Sequence, residues 1–221
     1  MRSSTFYADR SDAGGQLAAA LAGKGLTDPV VYALPRGGVP VALEIALALK
    51  APLDLVLVRK IGAPDEPELA LAAVAEGGEL VINEAVRRYA GVSDAWLQTA
   101  RATAMAEIER RRAAYLGGRS RIDPKGRTAI LVDDGLATGA TARAAIRALK
   151  AAGAAKVVLA APVAAPDVAA ELGREADEVV CLATPSGFMG VGAAYADFHQ
   201  LTDAETIALI TRADHLGPAG G

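Results

Sequence analysis

The chain has little of what builds covalent or metal scaffolds. Cys181 is its only cysteine and His199 and His215 its only histidines. An internal disulfide and a multi-cysteine metal site are therefore excluded, and two histidines leave little with which to assemble a zinc centre. No apolar run approaches the ~18 residues that a membrane-spanning helix needs. Met1 to Arg10 carries charges and has no apolar core of a signal peptide. The expectation is a cytoplasmic chain with no membrane partner. A surplus of one charge is missing too, since 23 Lys and Arg face 26 Asp and Glu, a net charge of −3. The molecule as a whole thus has no electrostatic reason to bind nucleic acid, which is not expected as a partner. Aromatic residues amount to 4% of the chain, whereas hydrophobic residues of all kinds reach 52%. That is enough core for one domain over residues 1–221.

What is abundant is alternation. β-branched apolar runs at Pro29–Leu34, Leu53–Val58, Arg127–Val132, Lys156–Pro162 and Glu178–Leu182 alternate with Ala/Leu stretches of helical period at Val39–Leu49, Ala140–Ala152 and Asp167–Arg174. Runs that are apolar on both faces suit strands covered by helices, so the pattern predicts an α/β fold with a central, mainly parallel sheet. Ser93 opens a long helix to about Tyr115, and Thr202 with Glu205 forms a capping box for a last helix ending near Asp214. Residues 217–221 are expected to fray. Between Ile61 and Asn83 prolines and glycines surround the short run Leu69–Val74, which predicts a hairpin-like excursion mobile at its tip.

Ligands of such sheets bind at the carboxyl ends of the strands, and there the most informative segment lies. After Ala129-Ile130-Leu131-Val132 the sequence reads Asp133-Asp134-Gly135-Leu136-Ala137-Thr138-Gly139-Ala140-Thr141, and a helix follows. Two adjacent carboxylates repel one another, a cost that falls when they accept hydrogen bonds from neighbouring hydroxyls such as a ribose diol. Ala137 to Thr141 supplies small side chains, two hydroxyls and backbone N–H groups at a helix N-terminus, which favours a phosphate dianion. A Walker-type loop is excluded because no Gly-Lys-Ser/Thr follows, and a dinucleotide fingerprint is absent. The bland alternative is a capped turn with a solvated acidic pair.

This segment resembles the phosphoribosyl diphosphate motif of type I phosphoribosyltransferases. Gly135 departs from it, since an aliphatic residue is usual there. The resemblance implies displacement at C1 of the ribose, with diphosphate leaving as a magnesium complex and a nitrogenous base entering. It assigns the ribose to Asp133 and Asp134, which would meet Mg²⁺ only indirectly, through ribose hydroxyls and diphosphate. The 5-phosphate falls to Ala137, Thr138, Gly139, Ala140 and Thr141. Leu34-Pro35-Arg36-Gly37-Gly38 resembles the family's diphosphate loop, with Arg36 pairing to phosphate and Gly37 and Gly38 permitting close approach. Val58-Arg59-Lys60, at the end of the next strand, resembles the basic entrance to the family's flexible loop, here about 61–83. Arg59 and Lys60 would clamp diphosphate, and Asp133, Asp134, Arg36 and Lys60 form the expected catalytic set. Glu66, Glu68 and Glu76 are loop carboxylates without an assigned role.

The acceptor side is less defined. Residues about 184–200 are similar in part to a purine-type hood, which would bring Phe188 and Val191 to the base, although core packing of Phe188, Tyr195 and Phe198 is an equal reading. Ala137 stands where 6-oxopurine enzymes carry an aspartate, and the acceptor is not named by the sequence. Taken together, the segments are most similar to uncharacterised bacterial phosphoribosyltransferase-like proteins. Members of the family are often dimers, so a second copy joins phosphoribosyl diphosphate and a small acceptor as expected partners.

Other features have plain readings. Arg101 to Arg127 holds eight basic and three acidic residues, including Arg110-Arg111-Arg112, either a solvated helix face or a patch that steers phosphorylated ligands. Trp96 is read as a packing anchor, Cys181 as an inert strand residue, His199 as a surface group and His215 as incidental. Two other functions remain in view. A module that senses phosphoribosyl diphosphate without turning it over would use the same motif. A receiver-like phosphoacceptor would use Asp133 or Asp134 but leave the threonine loop without a purpose.

Overall fold

The computed structural model describes residues 6–216. In chain order the elements are α1 (Arg10–Ala22), β1 (Pro29–Ala33), α2 (Gly38–Leu49), β2 (Leu53–Leu55), β3 (Val58–Gly62), β4 (Ala70–Ala75), β5 (Leu80–Ile82), α3 (Glu84–Tyr89) and α4 (Asp94–Leu116). There follow β6 (Thr128–Val132), α5 (Ala140–Ala151), β7 (Lys156–Val163), α6 (Pro166–Leu172), β8 (Glu178–Ala183), a 3-10 turn (Val191–Ala194) and α7 (Asp203–Leu216).

Five strands form a parallel sheet in the order β2-β1-β6-β7-β8. The strand alternation divides the core in two. Val31, Ala33, Ile130, Val132, Val158 and Ala160 face α1, α2 and α7, while Val30, Tyr32, Ala129, Leu131, Val157 and Leu159 face α5 and α6. All five residues of β6 are buried, as its unbroken apolar run requires for a central strand covered on both faces. The expected mainly parallel sheet flanked by helices is thus the observed one.

The ends of elements follow their capping chemistry. Ser93 accepts from Trp96 N at 3.2 Å and starts α4. Thr202 and Glu205 exchange backbone-to-side-chain hydrogen bonds at 2.7 and 3.2 Å ahead of α7. The expected fraying of 217–221 lies outside the described residues.

Two expectations about the chain path need correction. Leu53–Val58 is not one strand: β2 stops at Leu55, and Val58 opens a separate antiparallel sheet, β3-β4-β5. Val56 N still donates to Ala33 O at 3.0 Å, but Leu57 O accepts from Glu76 N at 3.0 Å, so the chain has changed partners there. Arg59 and Lys60 consequently sit in the first strand of the small sheet rather than at the end of a core strand. Within 61–83, β4 and β5 pair antiparallel with each other and β4 with the end of β3, and β4 buries Leu71 to Ala75 against α4 and α5. Helix α1 lies outside the segments read from the sequence, and it contains Gly14 and Gly15. Asp9 nonetheless caps it by accepting from Asp12 N at 2.8 Å, and Leu17 and Leu21 are fully buried.

Candidate functional site

At the carboxyl end of β6 the chain turns through Asp133 and Asp134. Asp133 accepts from Asp134 N at 2.9 Å. Asp134 takes Nε–H of Arg10 on Oδ2 at 2.8 Å, and its carbonyl accepts the Tyr195 hydroxyl at 2.5 Å. Burial, followed by the neighbouring Asp134 charge, pushes the Asp133 carboxyl well above its ordinary value of 3.8. Burial also raises Asp134, and the Arg10 hydrogen bond opposes it. The pair is thus under-compensated: a single guanidinium serves two adjacent carboxyls, and Asp133 has spare acceptor capacity.

The following loop is shaped for close approach. Leu136 anchors it to the end of β7, with N donating to Val163 O at 2.9 Å and O accepting from Ala165 N at 3.0 Å. Gly139 then has φ +69°, where a Cβ would come within 2.9 Å of Val168, so only glycine turns the chain into α5 here. Ala137 and Thr138 are exposed and Ala140 and Thr141 half-buried. Among the described residues, no protein acceptor pairs with the backbone N–H groups of Thr138 to Ala142. Together with the start of the α5 dipole, these make an electropositive rim suited to a phosphate group.

The loop between β1 and α2 leans against this turn. A Cβ on Gly37 would collide with Asp134 Oδ2, and one on Gly38 would lie 2.5 Å from Val132 O. Both positions therefore require glycine for the two loops to touch. The peptide bond between Pro35 and Arg36 is cis. The backbone N–H groups of Arg36 and Gly37 meet no protein acceptor among the described residues. The Arg36 side chain itself turns toward Asp203 at the start of α7, at 3.6 Å.

The two strand cations separate, because successive side chains of a strand point to opposite faces. Lys60 borders a cavity of about 160 Å³ together with Asp133, Gly135, Thr138 and Thr141. Arg59 instead meets Glu107 of α4 at 3.7 Å, on the other side of β3. The structure therefore brings Lys60, Asp133 and the Ala137–Thr141 loop together, sets Arg36, Gly37 and Gly38 beside Asp134, and holds Arg59 apart.

The hood residues have separate surroundings. Val191 packs over the turn so tightly that a Cβ on Gly135 would fall 2.5 Å from its Cγ1. This accounts for glycine where the family usually carries an aliphatic residue: Val191 supplies the missing bulk from another segment. Phe188 is half-buried against the core group that faces α5 and α6 and against a smaller cluster of Tyr7, Val163 and Tyr195. Tyr195 and Phe198 stack with ring centroids 5.1 Å apart. His199 is exposed between Asp197 and Glu205 at 3.3 and 3.4 Å. Glu66 and Glu68 are exposed, whereas Glu76 is drawn into an ion cluster with Arg112, 3.3 Å away.

Sequence reasoning missed Arg10. Besides Asp134, it donates to His199 O at 3.0 Å and lies 3.9 Å above the Phe198 ring. No local pattern marks it, since its partners lie more than 120 residues away in sequence. Among the described residues no group of three or more His, Cys, Asp or Glu converges to hold a metal. The oxygen chemistry of Asp133 and Asp134 fits a hard cation such as Mg²⁺ only indirectly, through the hydroxyls, diphosphate and water that would lie between them and the ion.

The site is thus an acidic pair and a loop of unpaired N–H groups at the end of the central strand of a parallel α/β sheet. The family described as Phosphoribosyl transferase domain matches residues 7–195, and the chain belongs to that family. The crystal structure of TT1426 from Thermus thermophilus is similar with a TM-score of 0.81 and 45% identity, covering 93% of this chain and 98% of that one. Two Mycobacterium tuberculosis proteins, of strains CDC 1551 / Oshkosh and H37Rv, carry phosphoribosyl transferase as a provisional name. Each is 48% identical over 207 residues, covering 94% of this chain. The chain spans 47% of the length of each of these relatives.

Proposed function

We propose that the protein is a phosphoribosyltransferase that moves a 5-phosphoribosyl group between phosphoribosyl diphosphate and a small nitrogenous acceptor. The observation that carries this reading is the cavity in which Asp133, Lys60 and the unpaired N–H groups of the 138–142 loop face one space. In this reading Asp133, with Asp134 beside it, accepts the diol and the adjoining loop accepts the 5-phosphate. Ribose hydroxyls donating to Asp133 and Asp134 offset the burial that raises both pKa values, and at Asp133 also the neighbouring Asp134 charge, so binding and carboxylate ionisation favour each other.

The transfer breaks the C1–O bond to diphosphate and forms a C1–N bond to the acceptor, whose proton leaves to solvent. Positive charge develops on the ribose and negative charge on the departing diphosphate. Lys60 and the N–H groups of Arg36 and Gly37 are set to receive the latter. Arg36 reaches it by leaving Asp203, an exposed pairing of low cost. Arg59 joins only by leaving Glu107. Mg²⁺, when bound with the substrate, neutralises diphosphate charge. No nucleophilic side chain is needed, because orientation and fixed charge suffice for such a displacement. Val191, above the acidic turn, borders the acceptor side, and Phe188 stands behind it as support.

Isothermal titration of phosphoribosyl diphosphate, with and without Mg²⁺, tests the reading on the wild type and on Asp133→Asn/Asp134→Asn. Magnesium-dependent binding that the double variant loses is the expected result. A folded wild type that binds nothing would overturn it. Binding without diphosphate release for any acceptor would favour the sensing module.

A further inference from the structure

Arg36 is the only cation of the 34–38 loop, and its partner comes from elsewhere in the chain. The guanidinium lies 3.6 Å from Oδ1 of Asp203, the first residue of α7. That same oxygen accepts the Tyr115 hydroxyl at 2.7 Å. Tyr115 is buried in the last turn of α4, whereas the Asp203 side chain is 68% exposed. Burial, followed by the hydrogen bond to Asp203, pushes the Tyr115 hydroxyl up to about 12, so it stays a neutral donor. A hydroxyl held by the packing of α4 therefore sets the direction of an exposed carboxylate, and that carboxylate faces Arg36. Helix α4, helix α7 and the loop between β1 and α2 meet at one oxygen.

The two contacts of Asp203 differ in kind. The Tyr115 bond is short and has a buried donor, and it remains when Arg36 moves. The Arg36 contact is longer than a hydrogen bond and joins two side chains that are each at least a third exposed. It is a pairing that breaks and re-forms cheaply. Asp203 also stands at the start of α7, where the positive end of the helix dipole favours a carboxylate. Among the described residues no other cation lies within 4.0 Å of it. Asp203 is thus a fixed acceptor beside a movable guanidinium.

Such an acceptor has a use beside a site for a highly charged leaving group. Lys60, the N–H groups of Arg36 and Gly37 and the Arg36 guanidinium would together hold diphosphate strongly, and a product held too strongly slows turnover at the release step. We propose that Asp203, oriented by Tyr115, is a positioning residue that competes with diphosphate for Arg36 and so lowers the affinity of the loop for the departing product. The inference rests on the reading of the 34–38 loop as the diphosphate site. Diphosphate draws Arg36 away from Asp203, and when diphosphate leaves, the carboxylate takes the guanidinium back.

Asp203→Asn removes the charge yet keeps an oxygen for Tyr115, at an exposed position where the fold tolerates the change. Isothermal titration with inorganic diphosphate and Mg²⁺ compares the wild type with Asp203→Asn, Asp203→Glu, Arg36→Ala and Arg36→Ala/Asp203→Asn. Asp203→Asn should bind diphosphate about two- to fivefold more tightly, and Asp203→Glu, which restores the charge, should return toward the wild type. In the Arg36→Ala background the same Asp203→Asn change should have no effect, because the cation being competed for is gone. Binding by Asp203→Asn that equals the wild type or is weaker overturns the inference. So does a tightening that persists in full without Arg36, or that Asp203→Glu shows equally. A folded wild type that binds no diphosphate would remove the diphosphate loop along with it, whereas wild-type binding that Asp203→Asn leaves unchanged removes only the role of Asp203.

Discussion

Asp54 and Asp133 are both acidic residues of the parallel sheet region near an arginine, yet their surroundings are built differently. Asp54 accepts from Arg112 on both oxygens at 3.0 Å, from Ile122 N at 2.8 Å, from Leu55 N at 2.8 Å and from Arg119 at 3.4 Å. Its lone pairs are fully engaged, and Arg112 also reaches both oxygens of Glu76 at 3.3 Å. This cluster ties β2 to α4 and to the end of β4. Asp133 accepts one backbone N–H, and the nearby Arg10 bonds to its neighbour Asp134 instead. A saturated buried carboxylate holds the fold together, whereas an unsaturated one beside a cavity is equipped to hold something else.

The largest effect expected from breaking this contrast is in stability. Arg112→Ala strands Asp54 and Glu76 in a buried site and should cost about 3–5 kcal/mol, read as a lower urea midpoint. Asp133→Asn/Asp134→Asn should instead lower the midpoint far less, since the burial cost and repulsion it relieves offset the loss of the Arg10 pair. If both variants lost stability alike, the distinction between the clusters would fall.

Next comes donor affinity. Losing charge-assisted hydrogen bonds from two carboxylates should weaken phosphoribosyl diphosphate by about a hundredfold in Asp133→Asn/Asp134→Asn. Arg10→Ala should weaken it by about tenfold, because Asp134 loses the cation that opposes its upward pKa shift. Arg10→Lys should recover part of the loss and keep the pH profile of binding near that of the wild type. An Arg10→Ala protein with wild-type affinity and pH profile would remove Arg10 from the site.

The acidic pair also predicts a pH dependence. Both carboxyls have folded-state pKa values raised above 3.8. Their contribution to ligand-free stability is therefore fully present below 3.8 and is lost as pH rises through the raised values. Urea midpoints measured across that range should fall in the wild type relative to Asp133→Asn/Asp134→Asn. Parallel curves for the two proteins would contradict the raised pKa values. The smallest effect belongs to Glu66→Gln and Glu68→Gln, exposed positions where neither the unfolding midpoint nor donor affinity should shift measurably.

Much of this was legible in the residues. Runs such as Ala129–Val132, apolar at every position, can only be strands covered on both faces, and their alternation with Ala-rich helical stretches leads to a parallel sheet. The ligand loop was legible because its chemistry is local: two carboxyls, two glycines, two threonines and a helix start within nine residues. Caps at Ser93 and Thr202 were legible for the same reason, since the partners lie three residues apart.

Contacts between distant segments were not. Nothing in the sequence tells that Arg10 neutralises Asp134, that Val191 fills the space left by Gly135, or that Glu76 belongs to the Asp54 cluster rather than to a loop. Arg59 and Lys60 looked equivalent as a basic pair, and only the pleat of β3 brought Lys60 and not Arg59 to the cavity. The sequence by itself determined which segments are strands, which are helices and where the phosphate-shaped turn lies, because backbone periodicity and capping act over a few residues. The tertiary structure alone decided which charges are paired and which remain available, because that depends on groups brought within hydrogen-bond distance from far along the chain.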